Sequence, residues 1–311
     1  FDLALKLWKE IRTDMIIETR LIKRQEKSLT GLLNHFIDEK RIRDSKIGFG
    51  LVTVELPNIT PRYFFTDDIP KGKMVDYIAA SASLFPAIRV ADIDNIKYVD
   101  GGYLDNLPVG MAIEKKATHV IAVDLETAGI VQQEPLKQAE NLVLIRCKWG
   151  LGDIMVFDSK SSSKNIRLGY LDTLKAFGFL DGYYYSFSKG EMSKKNIHGA
   201  EMAAKIFDLD PQFLYSKNSF NNSLLTSVQS YKQETKSEVL NFHDNLKNLR
   251  PDKELLLSLL KKVNQKTLTL IIAEHLKASP EIAGSILLKP AALLFKDESK
   301  AANYLIRENL F

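Results

Sequence analysis

A single cysteine, Cys147, is the chain's whole stock of thiols. No intrachain disulfide can form, which excludes a disulfide-stapled scaffold and fits a reducing, cytoplasmic compartment. Cys147 ends the apolar run 142–147, which reads as a buried strand, and a small core thiol is the ordinary role there. No apolar run approaches the roughly 20 residues needed to cross a bilayer, and nothing near Phe1 resembles a signal peptide. A strong charge bias is lacking too: the formal net charge is +4, with Lys and Arg interleaved with Asp and Glu. That argues against a nucleic-acid groove and leaves room for peripheral attraction to an anionic lipid surface. His35, His119, His198, His243 and His275 are scattered, with no pair at helical metal-ligand spacing. No zinc site, other metal or cofactor is therefore expected. The GxG at 150–152 lacks the third glycine of a dinucleotide loop and reads as a turn.

What is present is a globular composition, 45% hydrophobic and 26% charged over 311 residues, enough for about two units of ~150 residues. Residues 1–12 form an amphipathic helix with Leu3, Leu7, Trp8 and Ile11 on one face, entered without a preceding cap. The expectation is a piece of a longer protein whose N-terminal part lies elsewhere. Strands are predicted at 47–56 and 62–66, either as a hairpin or as two adjacent strands. A helix at 73–84 is rich in small residues, Ala79, Ala80, Ser81, Ala82 and Ser83, and Phe85-Pro86 ends it. A further helix covers 108–116. The unbroken apolar run at 118–124 suits a strand buried on both faces, and 141–147 repeats the pattern. Strand, helix, strand in this order predicts an α/β fold with a largely parallel central sheet. Beyond about Gly150 helical periodicity takes over, at 165–177, 197–207, 223–249, 253–263, 268–276, 281–295 and 301–308. Asp210-Pro211, Arg250-Pro251, Ser279-Pro280 and Lys289-Pro290 punctuate these helices.

The most informative stretch is Tyr98-Val99-Asp100-Gly101-Gly102-Tyr103-Leu104-Asp105-Asn106-Leu107-Pro108-Val109. It places a carboxylate at a strand end, two conformationally permissive glycines after it, and a proline suited to a first helical turn. An unperturbed Asp, with a pKa of ~3.9, is a weak base. Burial at a sheet rim would make it a better proton acceptor. On spacing alone two roles stay open for Asp100, a cap for the following turn and a general base.

Residues 80–87 (Ala-Ser-Ala-Ser-Leu-Phe-Pro-Ala), the DGG at Asp100, Gly101 and Gly102, the text from Asp105 to Val109 and the run Val120-Ile121-Ala122-Val123-Asp124 resemble patatin-like phospholipases of bacterial type. The similarity covers roughly residues 27–147. The resemblance implies a patatin-like three-layer α/β core with an α-helical region after it: 1–190 as the C-terminal part of the catalytic domain, and 191–311 as the helical region. It further implies a Ser-Asp dyad that hydrolyses lipid esters, phospholipid among them, without a metal or cofactor. Asp100 matches the dyad aspartate, Gly101 and Gly102 shape its loop, and Ser81, Ser83, Phe85, Pro86 and Asn106 are candidates for the pocket wall. The departure is plain: these residues contain no GxSxG, since Gly178 and Gly182, the only glycines four apart, flank Leu180. The glycine-rich oxyanion segment is absent as well. The expectation is that nucleophile and oxyanion donors lie on an N-terminal segment outside this sequence and that this chain alone is inactive. Two other functions stay open: a non-catalytic lipid-binding or interaction module, and an interaction role for the helices beyond about Gly190. Tyr183-Tyr184-Tyr185 resembles text that follows the catalytic domain in some bacterial relatives, as a cover for the acyl pocket or as core. Lysine-rich helix faces such as Lys261-Lys262 either meet lipid headgroups or are simply solvated.

Overall fold

The computed structural model describes residues 2–16, 29–235, 263–278 and 294–311. His243, the prolines at 251, 280 and 290, Lys261-Lys262 and the helices expected at 253–263 and 281–295 lie wholly or largely outside them. The chain divides into two compact units, Phe1–Asp172 and Thr173–Phe311.

In the first unit, α1 (Asp2–Glu10), α2 (Thr13–Ile16), α3 (Leu29–Phe36) and α4 (Glu39–Arg43) precede β1 (Gly50–Leu56) and β2 (Thr60–Phe65). Then come α5 (Met74–Ser81), β3 (Ala91–Ile93), β4 (Ile96–Asp100), α6 (Val109–Glu114), β5 (His119–Asp124), α7 (Gln133–Gln138) and β6 (Asn141–Arg146), and α8 (Ser159–Ala176) begins in this unit and ends in the second. This is the mixed α/β fold expected from the order of elements.

β2-β1-β4-β3 form a four-stranded sheet, and every neighbouring pair in it is antiparallel. Local turn chemistry sets that direction. Asp94 and Asn95, both at positive φ, close a two-residue turn between β3 and β4, and Asx residues tolerate that conformation. The parallel arrangement is carried by β5 and β6, paired from His119↔Asn141 to Asp124↔Arg146, with α7 as the crossover. The small residues of α5 do what close packing needs: Ala80 is fully buried, and Met74 and Tyr77 join Leu51, Ile69, Ile93 and Tyr98 in one core. Leu107, Val109, Val120 and Ala122 form a second core under β5.

β5 corrects one expectation. Its residues alternate between exposed and buried, with Ile121 61% and Val123 55% exposed. An apolar run reports what side chains prefer, not whether a second layer is there to cover them.

The second unit is not purely helical either. Short strands β7 (Leu180–Asp181), β8 (Ser186–Ser188) and β9 (Leu214–Tyr215) make a small sheet beside α9 (Lys194–Ile206), α10 (Lys217–Glu234), α11 (Gln265–Ala278) and α12 (Lys296–Arg307). Strands of two or three residues are too short to carry a period-two signal. Tyr185, Phe187, Tyr215, Phe220 and Tyr304 pack edge to face in this unit's aromatic core.

Candidate active site

Asp100 is the last residue of β4, opposite Thr53 of β1. Its backbone N–H donates to the Ser83 carbonyl at 3.1 Å, which fixes the strand end against the end of α5. The chain then turns through a single 3₁₀ turn, Gly101–Tyr103. Gly101 is required by close approach: a Cβ there would lie 2.3 Å from the Val52 carbonyl oxygen. That same oxygen accepts the Ser81 hydroxyl at 2.7 Å, so β1, α5 and the turn converge on one main-chain carbonyl.

Asp100 Oδ1 accepts the Gly102 N–H at 2.7 Å, capping the turn. Oδ2 has no hydrogen bond among the described residues and remains available as an acceptor. The cap role open on spacing is thus filled by one oxygen of the carboxylate alone. Burial raises the Asp100 pKa above its ordinary value, and the Gly102 hydrogen bond opposes that only in part.

The loop after β5 straps the turn from outside. Ile130 N–H donates to the Gly102 carbonyl at 3.1 Å, and Asn106 N–H to the Ile130 carbonyl at 2.7 Å. Gln132 Nε2 donates to the Leu104 carbonyl and Asn106 Nδ2 to Thr127 Oγ1. Four hydrogen bonds thus hold the DGG turn to a loop some 25 residues downstream.

An open cleft of about 410 Å³ lies at this junction. Phe49, Leu51, Ile78 and Pro108 give it apolar wall, while Ser81, Asp100, Asp105 and Asn106 bring polar groups and Gly101 and Gly102 bring backbone. Asp100, Gly101, Gly102, Ser81 and Asn106, all singled out from the sequence, are thus brought together. Ser83 is buried behind the cleft with its hydroxyl returned to the Ala79 carbonyl at 2.8 Å. Phe85 and Pro86 stand exposed and are not among the lining residues; the Phe85 carbonyl instead accepts the Tyr103 hydroxyl. Neither the Ser81 nor the Ser83 hydroxyl is hydrogen-bonded to the Asp100 carboxylate; both go to backbone carbonyls.

Sequence reasoning missed Asp105. It is 5% exposed and accepts the Tyr63 hydroxyl at 3.1 Å, with burial raising the pKa of both groups. Its place five residues after Asp100 was the available signal; the meeting with Tyr63, across 42 residues, had none. Among the described residues no cluster of three or more His, Cys, Asp or Glu could hold a metal ion, and no helix is long and apolar enough to cross a membrane.

Residues 12–113 match the family model for patatin-like phospholipases. The matched segment runs from α2 to α6 and contains β1 to β4, α5, Asp100 and both glycines. No curated protein and no solved structure gave a match.

Proposed function

We propose that this chain, patatin-like over residues 12–113, carries the base half of a lipid acyl ester hydrolase. Asp100 is the general base, and a serine on a GxSxG elbow outside these 311 residues is its nucleophile. The observation that carries this reading is the divided carboxylate of a cleft-lining residue: Asp100 Oδ1 is fixed by Gly102 N–H while Oδ2 has no hydrogen bond among the described residues.

Chemically, Oδ2 accepts the serine proton as the serine oxygen attacks the ester carbonyl. The collapsing tetrahedral adduct releases the alcohol, which takes that proton, and water then cleaves the acyl-serine with Asp100 again acting as base. Burial supports this role, since a carboxylate with a raised pKa holds the proton better than an exposed one. The apolar wall of Phe49, Leu51, Ile78 and Pro108 suits an acyl chain. The substrate class is a phospholipid or other lipid ester met at a membrane surface.

The test joins the chain to its natural upstream segment and follows release of fatty acid from phospholipid. Asp100→Asn is expected to lower kcat at least about 100-fold with little change in KM. Undiminished hydrolysis by that variant removes Asp100 from the mechanism. A second reading, a patatin-like module that binds lipid without cleaving it, draws on the commitment of the Ser81 and Ser83 hydroxyls to backbone carbonyls. Lipid binding without hydrolysis in the joined protein would select it.

A further inference from the structure

The second unit holds an arrangement that ester hydrolysis does not use. α8 ends with Gly178 at positive φ, and the backbone N–H groups of Phe177, Gly178 and Phe179 bond back to the last turn. β7 follows, then a tight turn at Gly182, where a Cβ would lie 2.1 Å from the Tyr185 carbonyl oxygen. Three successive N–H groups, of Tyr183, Tyr184 and Tyr185, donate to one buried oxygen, Glu201 Oε1 of α9, at 2.6, 2.7 and 3.0 Å. Lys175 Nζ donates to the Tyr183 carbonyl at 3.2 Å, which sets the turn beside the end of α8.

This rigid frame sorts its aromatic residues. Tyr185 and Phe187 enter the core, whereas Phe177, Phe179 and Tyr183 are 45%, 66% and 54% exposed. A loop that is merely unfinished would have no carboxylate clamp beneath it. A loop built to present aromatic side chains would. Exposed clusters of this kind on a single short segment mark interaction surfaces.

Charge points to the partner. Two of the three acidic groups nearest the turn are withdrawn: Asp181 is engaged by Lys189 at 3.1 Å and by the Gly190 N–H at 2.7 Å, and Glu201 is buried under the turn, while Glu191 stays exposed and accepts the Lys217 N–H at 2.7 Å. Lys175, Lys189 and Lys194 are on the same stretch of chain, and Lys194 lies near enough to Asp181 to help hold its carboxyl below the ordinary range, after Gly190 and Lys189. Exposed rings flanked by lysines that outnumber the one exposed carboxylate, Glu191, complement an anionic lipid interface.

We propose that residues 177–183 are an interfacial anchor, Phe177, Phe179 and Tyr183 entering the headgroup layer of an anionic bilayer while Lys175, Lys189 and Lys194 face its phosphates. The choice of a lipid surface over a protein partner rests on the lipid-ester reading above. The anchor itself is independent of catalysis.

The test is co-sedimentation of the full chain with vesicles of phosphatidylcholine, with and without phosphatidylglycerol. The parent is expected to bind the anionic vesicles more tightly, and the double variant Phe179→Ser/Tyr183→Ser to bind them at least about 10-fold more weakly with an unchanged unfolding midpoint. Asp100→Asn is expected to bind as the parent does, so a failed dyad and a failed anchor give different results. Three outcomes overturn the proposal: a parent that sediments with neither vesicle, a double variant that binds like the parent, and a double variant that only turns a dimer into a monomer. The last would assign the patch to a second copy of the chain.

Discussion

Replacing Gly101 with alanine tests the geometry of the cleft most directly. A Cβ at this position would lie 2.3 Å from the Val52 carbonyl oxygen, 2.6 Å from its carbon and 2.8 Å from the Val52 Cβ. Ordinary contact begins near 3.4 Å, so the turn and β1 must part by roughly 1 Å. Neither side can yield alone: Val52 is in the middle of a paired strand, and its carbonyl also holds the Ser81 hydroxyl. Overpacking of this kind costs about 1–3 kcal/mol. Loss of the Ser81 bond and of pairing near Thr53↔Asp100 adds about 1 kcal/mol each. The sum, on the order of 3–5 kcal/mol, is a large share of the ~5–15 kcal/mol that stabilises a domain. Trp8 and Trp149 both lie in the unit Phe1–Asp172, so tryptophan fluorescence in urea reports on the unit that contains the substitution. At a slope of about 2 kcal/mol per molar urea, the midpoint should fall by about 2 M. Gly102→Ala is the contrast, because its Cβ would meet Asn106 Oδ1 at 2.7 Å and Asp100 Oδ1 at 3.1 Å, the mobile ends of side chains. It should cost about 1 kcal/mol in stability and act instead by displacing the Asp100 carboxylate. Gly48→Ala, with nothing within 4 Å, should be neutral. A Gly101→Ala midpoint indistinguishable from the parent's, or a Gly102→Ala variant equally unstable, would refute the reasoning.

Asp100→Asn should stabilise the chain at neutral pH. Burial raises the folded-state pKa of Asp100 above its ordinary value, so the folded form is favoured below the unfolded-state pKa and loses that advantage as pH rises through the folded-state pKa. Asparagine cannot ionise and still offers Oδ1 to Gly102. Thermal melts should therefore show the variant above the parent at pH 7 and the gap closing toward pH 3; a gap independent of pH would contradict this. Glu201→Ala should strand the N–H groups of Tyr183, Tyr184 and Tyr185 at a cost of at least about 3 kcal/mol. The second unit has no tryptophan, so near-ultraviolet circular dichroism of its tyrosines is the suitable probe, and a melting curve like the parent's would remove the clamp from the account.

The end of β4, the two glycines after Asp100 and the small-residue helix α5 were legible in the sequence because each is a local matter: strand periodicity, backbone permissiveness and side-chain size. Even the rival roles for Asp100 were both visible, though not that one oxygen could cap the turn while the other stayed available. Distant pairings were not legible. Tyr63 and Asp105 meet only because β2 folds back on β1 and the DGG turn closes over it, and no local pattern encodes that. Ser83 and Phe85 stand close in sequence to the cleft yet turn away from it, since both follow the end of α5 at Ser81, where helical spacing no longer says which side a residue takes. The outward row on β5, Ile121 and Val123, shows the limit in another form: hydrophobicity states a preference for burial and is silent about what satisfies it.

The Val52 carbonyl has a consequence for how such a site is mapped. Its oxygen receives Ser81 and forbids a side chain at Gly101, yet every substitution at position 52 leaves that oxygen in place. A conventional mutational scan would score Val52 as strand packing and pass over the group that organises the turn. An amide-to-ester replacement acts on the peptide nitrogen first and weakens the carbonyl only indirectly. The informative positions are therefore the two that touch the oxygen, 81 and 101, and a scan sees this part of the site only through its neighbours.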